Sequence, residues 1–189
     1  MRAVMLETPE SLLEERRRTG ADLFDEVWEG VLHMVPPPSV GHQRFGKRLL
    51  LVLTPIADAR GLESNYETGV FRPSPGPLDY RTPDLVFARA DRYSDRGVEG
   101  RAELVVEIRS RNDESYEKLP FYASLEIPEA LVIDPITRAV ELFANRAGAM
   151  EAVAPDSAGG VRSSVLEVTF ARIDGPKLRI AWPDGVAEI

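Results

Sequence analysis

The sequence predicts an α/β domain, a mixed sheet flanked by helices with additional antiparallel strands, and three observations point to it. Apolar residues recur at helical spacing from Phe45 to Ile56. Short branched runs bounded by turn residues follow, in NYETGVFRP, TPDLVFAR and AELVVEIRS. Helical and extended patterns then alternate again before a C-terminal stretch of alternating residues in VRSSVLEV and LRIAW.

Taken in order, Pro9 to Gly20 is rich in Leu, Glu and Arg and predicts a surface helix, with Thr8 as N-cap, Gly20 as stop and Arg16 to Arg18 on a solvated face. FDEVWEGVLHMV, from Phe24 to Val35, predicts a hairpin turning at Glu29-Gly30 and ended by Pro36 to Pro38. Ser39 caps the next helix, whose stripe of Phe45, Leu49, Val52, Leu53 and Ile56 faces the core until Gly61. Arg44, Lys47 and Arg48 lie off that stripe as a small basic face, either solvated or in contact with phosphate.

Three consecutive strands are expected next, and the stretch Leu104 to Ile108 reads as a central strand, apolar on both faces except for Glu107. A helix is expected near Asp113 to Leu125. Pro120 cannot sit mid-helix without a kink, so the helix either bends there or starts close to Lys118. ALVID and AVELFAN predict two further strands, and the tail from Ala147 to Ile189 predicts antiparallel strands that extend the sheet.

At 189 residues the chain predicts a single domain, with a core over about 20–145 and a C-terminal strand extension over 146–189. It has no cysteine, which excludes disulfides and thiolate-bound zinc. No apolar run suffices to span a bilayer, and the first residues lack a signal-peptide pattern, so a cytoplasmic protein without membrane contact is expected. The net charge of -8 opposes avid non-specific binding to nucleic acid, although a carboxylate-rich site can draw compensation from a divalent cation and a basic patch.

Two acids stand out. Asp84 opens the second of the three strands, and Glu107 interrupts the third, where a buried carboxylate is expensive unless it binds something. On adjacent strands the two can converge at one sheet edge as hard oxygen ligands for Mg²⁺ or Mn²⁺, with water and a substrate phosphate completing the shell. Such an ion would lower the pKa of a bound water and offset charge in phosphodiester hydrolysis, and Lys118 is the nearest downstream lysine that could hold the water or the phosphate.

The segments RTPDLVF, AELVVEIRS and EKLPFYASLEIPEALVIDP, with FDEVWEGVLHM and SVGHQRF before them, resemble the Uma family of "putative restriction endonucleases" in the PD-(D/E)XK nuclease superfamily. The resemblance implies a restriction-endonuclease-like fold and a Mg²⁺-dependent endonuclease acting on DNA. It implies Asp84 and Glu107 as metal ligands and Lys118 as the catalytic lysine, moved from two residues after the acid to the following helix. Arg109 stands at the vacated position; it stays protonated and so can clamp a phosphate or pair with Glu107, but cannot act as a base.

His42, on the inward face of its helix, is either a packed core residue or an auxiliary site residue. Glu26 or Glu29 could approach the metal, with a solvated hairpin edge expected for Glu29, while Asp134 is expected to cap a turn before Pro135. Two-strand cleavage would call for at least a homodimer. The alternatives are a nuclease-like fold that no longer cuts and serves as a binding or assembly module, and a hydrolase of small phosphorylated molecules.

Overall fold

The computed structural model describes residues 9–73, 78–110 and 114–189, so Thr8, the proline-rich segment at 74–77 and Asp113 lie outside the described residues. Helix α1 (Glu10–Thr19) ends where Gly20 turns left-handed at φ 70°. Its arginines are not uniformly solvated as expected, since Arg16 is drawn into an ion pair with the buried Asp25. Strands β1 (Glu26–Trp28) and β2 (Val31–His33) form the expected hairpin, with Glu29 and Gly30 both at positive φ, as a two-residue turn requires.

Helix α2 (Val40–Asp58) starts at Ser39, whose side chain accepts a hydrogen bond from the His42 backbone N–H at 3.2 Å. Phe45, Leu49, Leu53 and Ile56 are buried and Val52 is half-buried, which confirms the stripe. Burying each such side chain contributes about 1.5–3 kcal/mol, so the face rather than intrinsic propensity holds this helix.

NYETGVFRP does not form one strand. It divides into β3 (Glu63–Tyr66) and β4 (Val70–Phe71), which belong to different sheets. The break falls where Glu67 adopts φ 47° and donates its N–H to the Asp84 carbonyl at 2.9 Å, leaving no ladder to continue. Then come β5 (Tyr80–Arg81), β6 (Leu85–Ala88), β7 (Tyr93–Ser94), β8 (Gly97–Glu99) and β9 (Leu104–Ile108). Helix α3 (Leu119–Ser124) is shorter than expected: it begins just after Lys118, with Pro120 in its first turn, where a missing N–H costs no helical bond.

After α3 run β10 (Glu129–Ile133), β11 (Val140–Arg146), β12 (Ala149–Ala152), β13 (Val161–Ser163), β14 (Val168–Ile173), β15 (Lys177–Trp182) and β16 (Gly185–Glu188). The central sheet has the order β12-β11-β10-β9-β6-β3, with β9 and β10 parallel and the other pairs antiparallel. The hairpin, β4, β5, β7 and β8 make a second sheet. Only β12 extends the central sheet; β13 to β16 form a four-stranded sheet of their own, contrary to the expected extension. Alternation explains this, because Val168, Phe170, Leu178 and Ile180 bury one face against the α2 side of the core instead of joining an edge.

Alternation also sorts the central strands. Leu104, Val106 and Ile108 face the core shared with α2, while Val105 shares a second cluster with Phe121 and Tyr122 of α3. Glu107 occurs in phase with Val105. None of the described helices is long and apolar enough to cross a membrane.

Candidate active site

Strands β6 and β9 are antiparallel neighbours with Leu85 opposite Val106, so Asp84, one residue earlier, comes opposite Glu107 at the end of the two strands. Asp84 is held there because its Oδ2 accepts the Ile108 backbone N–H at 2.6 Å. Its Oδ1 lies 2.5 Å from His42 Nε2, which ties the strand entry to the first turn of α2. His42 is buried, as expected of the inward face, and its Nδ1 has no partner.

Glu107 is 4% exposed, and both its oxygens are engaged. Oε1 accepts a hydrogen bond from the Tyr122 hydroxyl, and Oε2 accepts one from Lys118 Nζ at 3.1 Å. Lys118 stands at the start of α3. The same ammonium lies 2.8 Å from Glu26 Oε1 and 3.4 Å from the Thr82 carbonyl.

Glu26 is itself fixed. Its Oε1 accepts the Thr82 N–H at 2.8 Å and its Oε2 accepts Trp28 Nε1–H at 2.7 Å. Arg81 braces the hairpin against α3, with its guanidinium 4.3 Å from the Trp28 ring centroid and 4.2 Å from that of Phe121. The chain therefore brings Asp84, Glu107, Lys118, His42 and Glu26 to one end of β6 and β9.

Arg109 takes another direction. Its guanidinium lies over the Tyr116 ring at 5.4 Å, and the Glu107 oxygens have Tyr122 and Lys118 as partners in the place where an Arg109 pair was one expectation. Glu29 is exposed on the hairpin tip, as expected. Asp134 caps a turn, accepting the backbone N–H groups of Ile136 and Thr137 at 2.9 and 2.8 Å.

The sequence reading missed Tyr122, Thr82 and Glu67. The Glu67 carboxylate accepts a hydrogen bond from Gln43 Nε2 at 2.6 Å, and burial followed by the Asp84 charge raises its pKa against that bond. A signal for Tyr122 was present: it lies four residues after Lys118, one turn along the same helix face, and so points to the same carboxylate.

Burial pushes the Glu107 carboxyl up to about 8, with Asp84 and Glu26 adding to the push and Lys118 opposing it. Burial works against the Lys118 charge as well, yet Glu107 and Glu26 outweigh it and raise its pKa, which keeps the ammonium protonated. His42 follows the same pattern: burial lowers its pKa, but contact with Asp84 raises it further.

Among the described residues no group of three or more His, Asp or Glu side chains is disposed to hold a metal ion. The donor chemistry of Asp84 and Glu107 nevertheless fits Mg²⁺, which is commonly bound through one or two carboxylates with water and phosphate oxygens in its remaining positions. Their mutual repulsion, seen in the effect of Asp84 on Glu107, is what a bound cation would relieve.

No curated protein matches the chain. The fold is similar to the crystal structure of a "putative nuclease belonging to DUF820" from Anabaena variabilis ATCC 29413, with a TM-score of 0.59 and 15% identity over 76% of this chain and 83% of that one. The profile of the Uma2 family, described as "Putative restriction endonuclease", matches residues 13–173. That span takes in the hairpin, Asp84, Glu107 and α3, and it is consistent with the PD-(D/E)XK superfamily; the chain belongs to the Uma2 family.

Proposed function

We propose that this protein is a Mg²⁺- or Mn²⁺-dependent endonuclease that hydrolyses phosphodiester bonds in DNA, with Asp84 and Glu107 as metal ligands and Lys118 as the catalytic lysine. The observation that carries this reading is one ammonium shared by two buried acids beside Asp84 at the ends of two central strands. The family description and the nuclease-like fold support the same chemistry. A bound ion would supply Lewis acidity and a water of lowered pKa.

The chain's own residues do the rest. Lys118, kept cationic, donates to the attacking water or to a non-bridging phosphate oxygen; with a raised pKa it does not accept the water's proton. Glu26 and Tyr122 are positioning residues that hold Lys118 and Glu107. His42 orients Asp84 and can carry a proton beside it. We further propose one domain, a homodimer that sets two such sites against opposite strands, and a cytoplasmic location.

A second reading has a specific observation in its favour. Both oxygens of Asp84 and both of Glu107 already have protein partners, as in a purely structural buried network. On that reading the chain is a binding or assembly module that does not cut. Cleavage of plasmid and single-stranded DNA at low salt with Mn²⁺, comparing wild type with Glu107→Gln, separates the two: metal-dependent cutting lost in the variant supports the enzyme, and no cutting by wild type contradicts it.

A further inference from the structure

The turn between β10 and β11 carries an arginine whose hydrogen-bond donors the fold leaves unused. Arg138 sits at φ 62°, and its guanidinium lies over the Phe45 ring at 4.4 Å with Nε and Nη1 buried and without hydrogen-bond partners. Asp134 is near, but its Oδ1 is engaged by two backbone N–H groups of the turn. Arg48 is exposed on α2 one turn beyond Phe45, the residue whose ring carries the Arg138 guanidinium; burial and the Arg48 charge lower the Arg138 pKa, with Asp134 opposing them. A half-buried guanidinium with two idle donors, and two arginines sharing one acid already committed to the turn, leave room for a further anion.

The position gives that anion a context. Phe45 lies one helical turn after His42, which touches Asp84. Ile133 at the end of β10 pairs with Ile108 of β9, so the Arg138 turn leaves the sheet at the same strand ends as Asp84 and Glu107, on the α2 side where His42 meets Asp84. In a chain of net charge -8, arginines at this end of the sheet supply the attraction that the whole molecule does not.

We infer that Arg138 and Arg48 form an oxyanion subsite for a backbone phosphate of the nucleic acid, adjacent to the phosphodiester presented to Asp84 and Glu107. The substrate class rests on the endonuclease reading; the anion site does not. A guanidinium fork matches phosphate oxygens, and contacts of this kind fix the register of a strand without reading its sequence.

Two measurements on the metal-free protein test it. Inorganic phosphate is titrated while the Arg138 Nε–H resonance is followed by NMR, in wild type and Arg48→Gln. A saturable shift, severalfold weaker in Arg48→Gln, is expected; an Arg138 signal blind to phosphate overturns the subsite. Binding of a labelled duplex oligonucleotide is then measured against salt concentration for wild type, Arg48→Gln and Arg138→Asn, the last because Asn tolerates the left-handed backbone. Each substitution should lower the salt slope by about 1. Unchanged slopes in both variants overturn the backbone-phosphate assignment, whereas phosphate binding at Arg138 with no duplex binding by wild type upholds the anion site and contradicts the nucleic-acid reading.

Discussion

Glu26 holds the Lys118 ammonium at 2.8 Å, across the interface between the β1-β2 hairpin and the start of α3. The contact makes an N-terminal acid part of the same charge balance as Glu107. Lys118→Met should therefore leave two buried carboxylates uncompensated. Removing one partner of a buried ion pair costs about 3–5 kcal/mol, and the lower end is expected because Glu107, already pushed up to about 8 by burial, can take up a proton. Urea unfolding at neutral pH checks this, and a loss below about 1 kcal/mol would remove Lys118 from the network.

Tyr122→Phe deletes only the hydroxyl that donates to Glu107. Leaving one partner of a buried hydrogen bond unsatisfied costs about 1–3 kcal/mol, so the variant should lose that much stability. In a Glu107→Gln background the same substitution should cost clearly less, and the coupling read from the double-mutant cycle identifies the partner. Equal losses in both backgrounds would mean that the hydroxyl serves packing alone.

Much of this network was readable in the residues, and the unread part has a common cause. Ser39, the Phe45 to Ile56 stripe and the Glu29-Gly30 turn are local signals, and each appears where expected. Asp84 and Glu107 were readable because acids beside or within apolar strands are costly. Glu26 stood only as one of two hairpin acids, since its partner lies far along the chain. The break at Glu67 and the separate sheet of β13 to β16 were also missed. Both depend on which buried face each strand packs against, and alternation reveals that a face is apolar without revealing its neighbour.

Asp79 links acid stability to the same hairpin. It is 5% exposed, and burial, which would raise its pKa, is outweighed by Arg72, the Glu29 N–H and Arg81, so the folded-state pKa is lowered. A depressed carboxylate stabilises the fold fully above its unfolded pKa, about 3.9. That contribution shrinks as the pH falls below this value and is lost once the pH passes the folded pKa. Wild type should exceed Asp79→Asn in urea midpoint at pH 7, and the gap should begin to narrow below about pH 4 and vanish once the pH passes the folded pKa. A gap independent of pH would show that the Asp79 charge is not the source.

Glu129 tests whether the C-terminal sheet folds with the rest. Its buried carboxylate accepts hydrogen bonds from the Ser163 hydroxyl at 2.5 Å and from the Ser164 N–H at 2.7 Å, joining β10 to the end of β13. With the shared α2-side core, this predicts one cooperative transition in which fluorescence and far-UV dichroism coincide. Two separated transitions would divide the chain at about residue 146.

The pairing of Asp84 with Glu107 as a metal site is the central claim, and isothermal titration with Mn²⁺ tests it most directly. Wild type should bind the ion, while Asp84→Asn and Glu107→Gln, each first shown to be folded, should lose that binding. Metal affinity unchanged in both variants, or no binding by wild type, would contradict the account.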